Sequence, residues 1–497
     1  MGKFYLTAAI PYVNAKPHVG HALEFVQVDV IKRFHKIKGD ETLLLSGGDE
    51  NALKNVQAAQ EKGIPVQEFV GKNTKLYFEL AKKLDVEFDV FQKGSDKKHH
   101  LASQKLWNLC FENGDIYKKT YKGLYCLGCE LFYEKGELNE NLECLEHPGK
   151  KLEEVSEENY FFKLSKYQKQ IEELIESDTL KIIPESRKNE ALTFVKQGLR
   201  DISVSRSNER AKNWGVQVPG DPTQRIYVWF DALNIYQSGI GFGWDEKLYN
   251  IWWPADLHVI GKGILRFHAI YWPAFLLSAK LKLPKSIFVH GYFTVNGQKM
   301  SKTLGNVIDP IDIINKYGVD ALRYYLLKEI PSAGDGDFSE KRLVEVYNAD
   351  LANGLGNLVA RVAKLCEITK INYIGKSFPN IFEFEQNPEK YNKVLFRDYE
   401  KRYLDSLKNY LFDESLKALW TEIKTLDSEI QEVKPWEFEK ANEDKKTIIK
   451  TFLIDASARI TDIGFYLEPF LPETSKKIKE QFKGPKILSQ KPLFPRI

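Results

Sequence analysis

The chain has 497 residues, of which 43% are hydrophobic and 28% charged, and its net charge is +3. That balance supports a folded protein of about three domains and excludes disordered, collagen-like and low-complexity classes. The small charge excludes a protein held to nucleic acid by bulk charge alone, while leaving room for a local basic face. No run reaches the roughly 18 uncharged residues of a membrane span, and the N-terminus carries no export signal, so the cytoplasm is the expected address.

In chain order, Lys3–Ile10 is apolar and β-prone and breaks at Pro11. From Gly20 to Lys38 apolar residues recur at helical spacing, and Gly39 follows as a stop. A second strand is expected over Glu41–Leu45, ending in Ser46-Gly47-Gly48. Helices are expected near Ala52–Glu61 and Val66–Leu84, a strand at Phe88–Phe91 and a helix at Lys98–Phe111. Strands alternating with helices predict a parallel α/β sheet. The pattern changes near Asn113, and the stretch to about residue 215 reads as an insertion. Strand-like runs return at Ile226–Phe230, His258–Ile260 and Ile287–Val289, with an aromatic-rich helix expected over Ile264–Lys280. After about residue 345 helical patterns dominate.

Two short constellations carry chemistry. His18-Val19-Gly20-His21 sits where the first strand hands over to the first helix. Two imidazoles in one turn suit a phosphate, a helix N-terminus adds unpaired N–H groups, and Gly20 lets a flat base approach the backbone. Lys299-Met300-Ser301-Lys302-Thr303 lies between Asn296-Gly297 and Gly305-Asn306, so it is expected in a glycine-flanked loop whose lysines offset charge on a leaving pyrophosphate. A third pattern is metallic. Cys126-x2-Cys129 and Cys144-x2-His147 have the spacing of a four-ligand zinc knuckle, filled and therefore structural; Cys110 and Cys366 lack such partners and read as core.

The histidine and lysine strings resemble the paired signatures of class I aminoacyl-tRNA synthetases, with Val19 and Thr303 as mild departures. Within that class, Ala8–Asn14, Tyr227–Ala232, Gly261-Lys262…Phe267-His268…Trp272-Pro273-Ala274 and His290-Gly291-Tyr292 resemble the methionyl-tRNA synthetase family, over essentially the whole chain. The resemblance implies ATP-dependent activation of methionine and its transfer to the 3′-terminal adenosine of tRNA(Met). It implies His18, His21, Lys299 and Lys302 as the catalytic groups, with Gly20, Gly261 and Ser301 joining them around ATP and Mg²⁺ accompanying the nucleotide. Ile10, Tyr12, Asp49, Trp229, Ala232, Tyr236, Ile264 and His268 match the family's methionine pocket, with Tyr12 and His268 able to turn a polar tip to the sulfur. Asn357, Arg361 and Trp436 match its anticodon readers. Where the family usually reads Asp-Glu-His-Gly, this chain has Asp49-Glu50-Asn51-Ala52, and no role is assigned to Asn51.

The implied fold is a Rossmann-like parallel-sheet catalytic domain split by a zinc-bearing connective insertion. The expected divisions are 1–113 and 227–292 for the two catalytic halves and 114–226 for the insertion, with its knuckle at 126–147. A stem-contact fold with the lysine loop follows at 293–350, then an α-helical bundle that binds the anticodon at 351–497. Many family members continue into an OB-fold, whereas this sequence stops at Ile497. The expectation is a monomeric core, with a separate OB-fold tRNA-binding subunit as a partner that would complete it. The rival readings are another class I synthetase, of leucyl or cysteinyl type, and a noncatalytic zinc-containing tRNA-binding protein.

Overall fold

The computed structural model describes residues 2–126, 131–133, 138–144, 149, 152–300, 305–373 and 397–497. They form two compact units: 1–17, 41–82 and 87–290 in one, and 18–40, 83–86 and 291–497 in the other.

The first unit is built on a six-stranded sheet, all parallel. Its spatial order is Val90–Lys93, Glu41–Gly48, Lys3–Ala8, Leu257–Gly261, Ser286–His290 and Lys181–Ile183. The central strands read as apolar runs because helices cover a parallel sheet on both faces; Leu6, Leu44, Leu45, Val259 and Val289 are fully buried. The order reverses between Lys3–Ala8 and Leu257–Gly261. A doubly wound sheet opens a crevice at the carboxyl ends of its strands at such a reversal.

The second strand runs on through Ser46-Gly47-Gly48 instead of stopping before them. A Cβ at Gly47 would lie 2.0 Å from the Gln92 carbonyl oxygen, so the glycine is there to let two strands approach. The insertion forms a four-stranded antiparallel sheet ordered Leu131–Tyr133, Ile116–Cys126, Glu153–Phe162 and Ile202–Ser203. The expected strand at Ile226–Phe230 is a strand at Asp221–Ile226 followed by a buried helix at Val228–Leu233. Every residue of that helix is buried, so its apolar run has no periodicity to separate helix from strand. The expected helix over Ile264–Lys280 is also broken: a 3₁₀ turn at Lys262–Ile264, a π-helical turn at Phe267–Tyr271 and an α-helix at Trp272–Ser278.

The second unit joins the helix Val19–Ile37 to the carboxyl-terminal helices. Its anchor is Arg323, fully buried, which donates to Asp29 Oδ2 at 2.7 Å and to the carbonyls of Leu84, Pro469 and Phe470 at 2.9, 2.9 and 2.7 Å. A buried guanidinium with its donors met by carboxylate and carbonyls is tolerable; the same charge left unpaired costs several kcal/mol, about 3–5 when one partner is removed. A small sheet of Gln298–Lys299, Phe293–Val295 and Gly336–Phe338 precedes the helical region. Among the described residues no helix is long and apolar enough to cross a membrane.

Candidate active site

The first unit gathers the expected methionine-pocket residues near the reversal in strand order. Pro11 and Asp49 are tied by backbone, Asp49 N–H donating to the Pro11 carbonyl at 2.9 Å, and Tyr12 and Asp49 form a parallel bridge. Asp49 is thus a buried carboxylate held beside Tyr12 by the main chain. The Tyr12 ring meets Trp229 edge-on at 6.1 Å, and Trp229 meets His268 edge-on at 6.5 Å. The Tyr236 hydroxyl lies 2.8 Å from His268 Nε2, and His268 Nδ1 lies 2.9 Å from the Ile264 carbonyl oxygen. Ala232 is buried beside them on the Trp229 helix, and Ile10 and Ile264 pack on the same core half-buried.

These contacts fix a protonation state. A carbonyl accepts only, so His268 Nδ1 carries the proton, and Nε2 accepts from Tyr236. Burial pushes the imidazole down to about 4, so the ring is neutral at physiological pH. Both ring nitrogens are engaged within the fold, which departs from the expectation that His268 turns a polar tip toward the sulfur; the ring instead orients Tyr236. The π-helical turn accounts for this placement, since it re-aims Phe267 and His268 relative to a regular helix.

Three groups join this cluster that sequence reasoning left out. Phe267 stacks on Trp229 at 3.7 Å with 6° between the planes. The only sequence signal for it was its place beside His268; helical spacing would have aimed it elsewhere. His258, on a central strand, lies 4.6 Å from the Tyr236 ring and within 2.7 Å of Thr7 Oγ1. Asn51, given no role from sequence, donates from Nδ2 to the Gly94 carbonyl at 2.8 Å and to Asp231 Oδ2 at 2.6 Å. Asp231 also takes a hydrogen bond from Ser103 and faces His99 Nε2 at 2.8 Å. Burial alone would raise the Asp231 carboxyl, but the opposing charge and hydrogen bonds, His99 first, hold it below the usual carboxylate range. Asn51 therefore ties the Asp49 loop to the helix that bears Trp229.

The second unit carries the histidine pair and the start of the lysine run. His18 caps the helix Val19–Ile37: its Nδ1 accepts from Gly20 N–H at 3.1 Å, and His21 Nδ1 accepts from His18 N–H at 3.2 Å. The rings lie 4.0 Å apart. This corrects the expected source of anion-binding donors. The Val19 amide already donates to the Ile308 carbonyl and the Gly20 amide to His18, so the first amides of the helix are occupied. With each Nδ1 accepting, a neutral ring places its proton on Nε2, and the two imidazole edges become the donors. A Cβ at Gly20 would lie 3.0 Å from His18 Cε1 and 3.6 Å from Met300 Cε, so glycine keeps this approach open. Lys299 ends a hairpin strand instead of lying in open loop; Asn296 and Gly297 form its turn, at φ 51° and 75°, as a two-residue hairpin with both residues left-handed requires. Ser301, Lys302 and Thr303 lie outside the described residues.

Gly261 ends a central strand in the first unit, where an added Cβ would stand 3.4 Å from His290 Cε1. Of the knuckle ligands, Cys126 and Cys144 are buried, and Cys144 Sγ lies 3.5 Å from the Tyr133 hydroxyl; Cys129 and His147 lie outside the described residues. At the helical end, Arg361 Nη1 pairs with Asp427 at 3.1 Å while its guanidinium carbon stands 5.1 Å from the Trp436 ring centre. Asn357 is exposed one turn earlier on the same helix, and Trp436 is 49% exposed.

The family model described as tRNA synthetases class I (M) matches residues 4–363. The chain is 38% identical over 478 residues to a methionine–tRNA ligase of Thermotoga maritima, covering 96% of this chain and 74% of that protein. It is 39% identical over 483 residues to a methionine–tRNA ligase of Synechocystis, covering 96% and 89%. A crystal structure of Mycobacterium tuberculosis methionyl-tRNA synthetase bound by methionyl-adenylate superposes with a TM-score of 0.90 at 33% identity, covering 99% of this chain and all of that one.

Proposed function

The chain belongs to the methionyl-tRNA synthetases of class I, and on that premise we propose how its residues divide the reaction. It activates methionine with ATP and charges tRNA(Met). In the first step a methionine carboxylate oxygen attacks the α-phosphorus of ATP, and the bond to pyrophosphate breaks. In the second, a hydroxyl of the terminal adenosine of tRNA attacks the methionyl carbonyl, and AMP leaves. No enzyme nucleophile is required; the protein orients the reactants and meets the developing charge.

Asp49 receives the α-ammonium of methionine. Tyr12, Trp229, Ala232, Tyr236 and His268, walled by Ile10 and Ile264, enclose the thioether, whose sulfur favours aromatic neighbours by about 0.3–1.5 kcal/mol per contact. The observation that carries this reading is the buried Trp229–Tyr236–His268 cluster with His268 neutral: a flexible apolar side chain is best held where no charge must be desolvated. His18 and His21 donate from their Nε2 edges to the phosphate undergoing transfer, Gly20 and Gly261 leave room for the nucleotide, and Lys299, Ser301 and Lys302 bind the leaving pyrophosphate. Mg²⁺ accompanies ATP and shields its phosphate charge.

The zinc expectation fits what is described of its residues. Two buried thiols with a hydroxyl beside one of them suit a metal ligand set, and Cys126, Cys129, Cys144 and His147 would hold one zinc as a structural cross-link of the insertion. We propose the divisions expected from sequence as functional regions: 1–113 and 227–292 for activation, 114–226 as the zinc-bearing connective insertion, 293–350 as the stem-contact fold with the lysine loop, and 351–497, with Asn357, Arg361 and Trp436, for the anticodon. Methionine-dependent ATP–pyrophosphate exchange tests the whole reading. Exchange driven by leucine or cysteine and not by methionine would overturn the amino-acid assignment. No exchange with any amino acid, while tRNA still binds, would favour a noncatalytic binding protein.

A further inference from the structure

Two short helices carry the wall of the methionine cluster: Val228–Leu233, with Trp229 and Ala232, and Ile235–Ser238, with Tyr236. Neither has a side-chain cap, and helices this short do not hold themselves in place. On each, a polar residue follows the wall residue by two positions, Asp231 after Trp229 and Ser238 after Tyr236. Two positions are about 200° of helix rotation, so each polar residue faces the opposite side of its helix. One side chain meets both of these backs. His99, fully buried on the helix Lys97–Glu112, has Nδ1 at 2.7 Å from Ser238 Oγ and Nε2 at 2.8 Å from Asp231 Oδ1, the second contact off the line of a directed hydrogen bond. Asp231 also accepts from Ser103 Oγ, on the same helix as His99, and from Asn51 Nδ2, each at 2.6 Å. Asn51 stands two residues after Asp49. The contacts therefore run from the Asp49 loop, through Asp231 and His99, to the backs of both wall helices.

Burial opposes a charge on Asp231, yet His99, His100 and Ser103 hold its carboxyl below the usual range, so the charge is kept. Apolar side chains of similar size are often no less stabilising in such a place; what buried polar contacts add is one fixed arrangement. Here that arrangement sets a length. Asp49 takes the α-ammonium of methionine, while Trp229, Ala232 and Tyr236 enclose its thioether, so the separation between loop and helices measures the amino-acid side chain. A binding constellation keeps such a separation only where surrounding contacts lock the groups that define it. Resting on the synthetase reading above, we propose that His99 is a positioning residue for methionine selection: through Asp231 and Ser238 it fixes the distance from the Asp49 loop to the thioether wall, and with it the side-chain length that the site accepts.

The test compares two amino acids in ATP–pyrophosphate exchange. A site fitted to one length should prefer methionine to ethionine, one methylene longer, by about 10–200-fold in kcat/KM. His99→Leu keeps apolar bulk and removes both nitrogens. It should lower that preference about fivefold or more and raise KM for methionine by about as much, with KM for ATP within about twofold of its unaltered value. The preference is a ratio within one preparation, so a smaller folded fraction does not move it. Should His99→Leu fail to fold, Asp231→Asn and Ser238→Ala, each altering one of the two contacts at little change in size, carry the same readouts. An unchanged preference, whether or not the rate falls, would leave His99 a packing residue and overturn the proposal. So would KM for ATP rising as much as KM for methionine, or an unaltered protein that activates ethionine as well as methionine. An unaltered protein without methionine-dependent exchange would defeat the synthetase reading instead.

Discussion

The cluster around His268 and the helical face around Arg361 treat polar groups in opposite ways. In the cluster, hydroxyl and imidazole are buried and answer one another, Tyr236 to His268 and His268 to the Ile264 carbonyl. On the helical face, Trp436 is half exposed, Asn357 is open to solvent and Arg361 is shared between Asp427 and the Trp436 ring. The proposed function relates this difference to ligand size. A small apolar side chain is selected by enclosure, so the site proposed for it is largely preformed, although Trp229 Nε1 is buried without a hydrogen-bond partner among the described residues. The RNA loop proposed for the helical face would bring its own stacking faces and meet groups that the fold leaves exposed. Truncations should therefore be costly where the structure is closed and milder where it is open.

The largest effect is expected at the histidine pair, where capping and charge stabilisation rest on the same rings. His21→Ala should lower kcat for exchange about a hundredfold or more, the scale of one lost transition-state donor; undiminished exchange would remove His21 from the chemistry. Next is the enclosed site. Trp229→Ala opens a cavity beneath Tyr12 and unstacks Phe267, and should raise KM for methionine about tenfold or more, with KM for ATP as the control that ought not to move. At the open face, Trp436→Ala should lower charging kcat/KM about tenfold, the worth of one base–aromatic stack, with exchange retained. An equal loss in both assays would erase the contrast between the two regions.

The smallest effect is a pH dependence with opposite signs in the two regions. Burial lowers His268 to about 4 from 6.5, so the unfolded chain binds the proton more readily; stability from this group is present above about 6.5 and lost as pH falls toward 4. Burial first, then the charges of Glu400, Glu422 and Asp455 against the opposing Arg397, push Asp462 up to about 7 from 3.8. Here the folded state holds the proton, so stability is present below about 4 and lost as pH rises through 7. Asp462→Asn should raise the melting temperature more at pH 8 than at pH 5, and His268→Gln should flatten the acid side of the profile. A melting shift for Asp462→Asn that is the same at both pH values would show that this carboxyl does not titrate in that window.

Much of this was legible in the sequence. The alternation of strands and helices predicted the parallel sheet, and the motif strings marked the residues that the two units gather. Local spacing failed where burial was complete on all sides, as at Val228–Leu233, where an apolar run carries no period. It also failed at the π-helical turn, where one widened turn re-aims His268 and Phe267. Asn51 had no reading at all, because its partners at Gly94 and Asp231 are remote in sequence.

The sequence by itself determined the chemistry: which residue types stand at which spacing, and hence the family, the reaction and the candidate ligands. Only the tertiary structure decided the state of those groups. It put the proton of His268 on Nδ1 and the acceptors of His18 and His21 toward backbone amides. It placed the helix Val19–Ile37 in a unit with the carboxyl-terminal half through Arg323 and Asp29. The physical reason is one of range. Spacing along the chain encodes geometry within a turn or a strand, whereas tautomer, desolvation and ion pairing are set by atoms that only folding brings within hydrogen-bond distance.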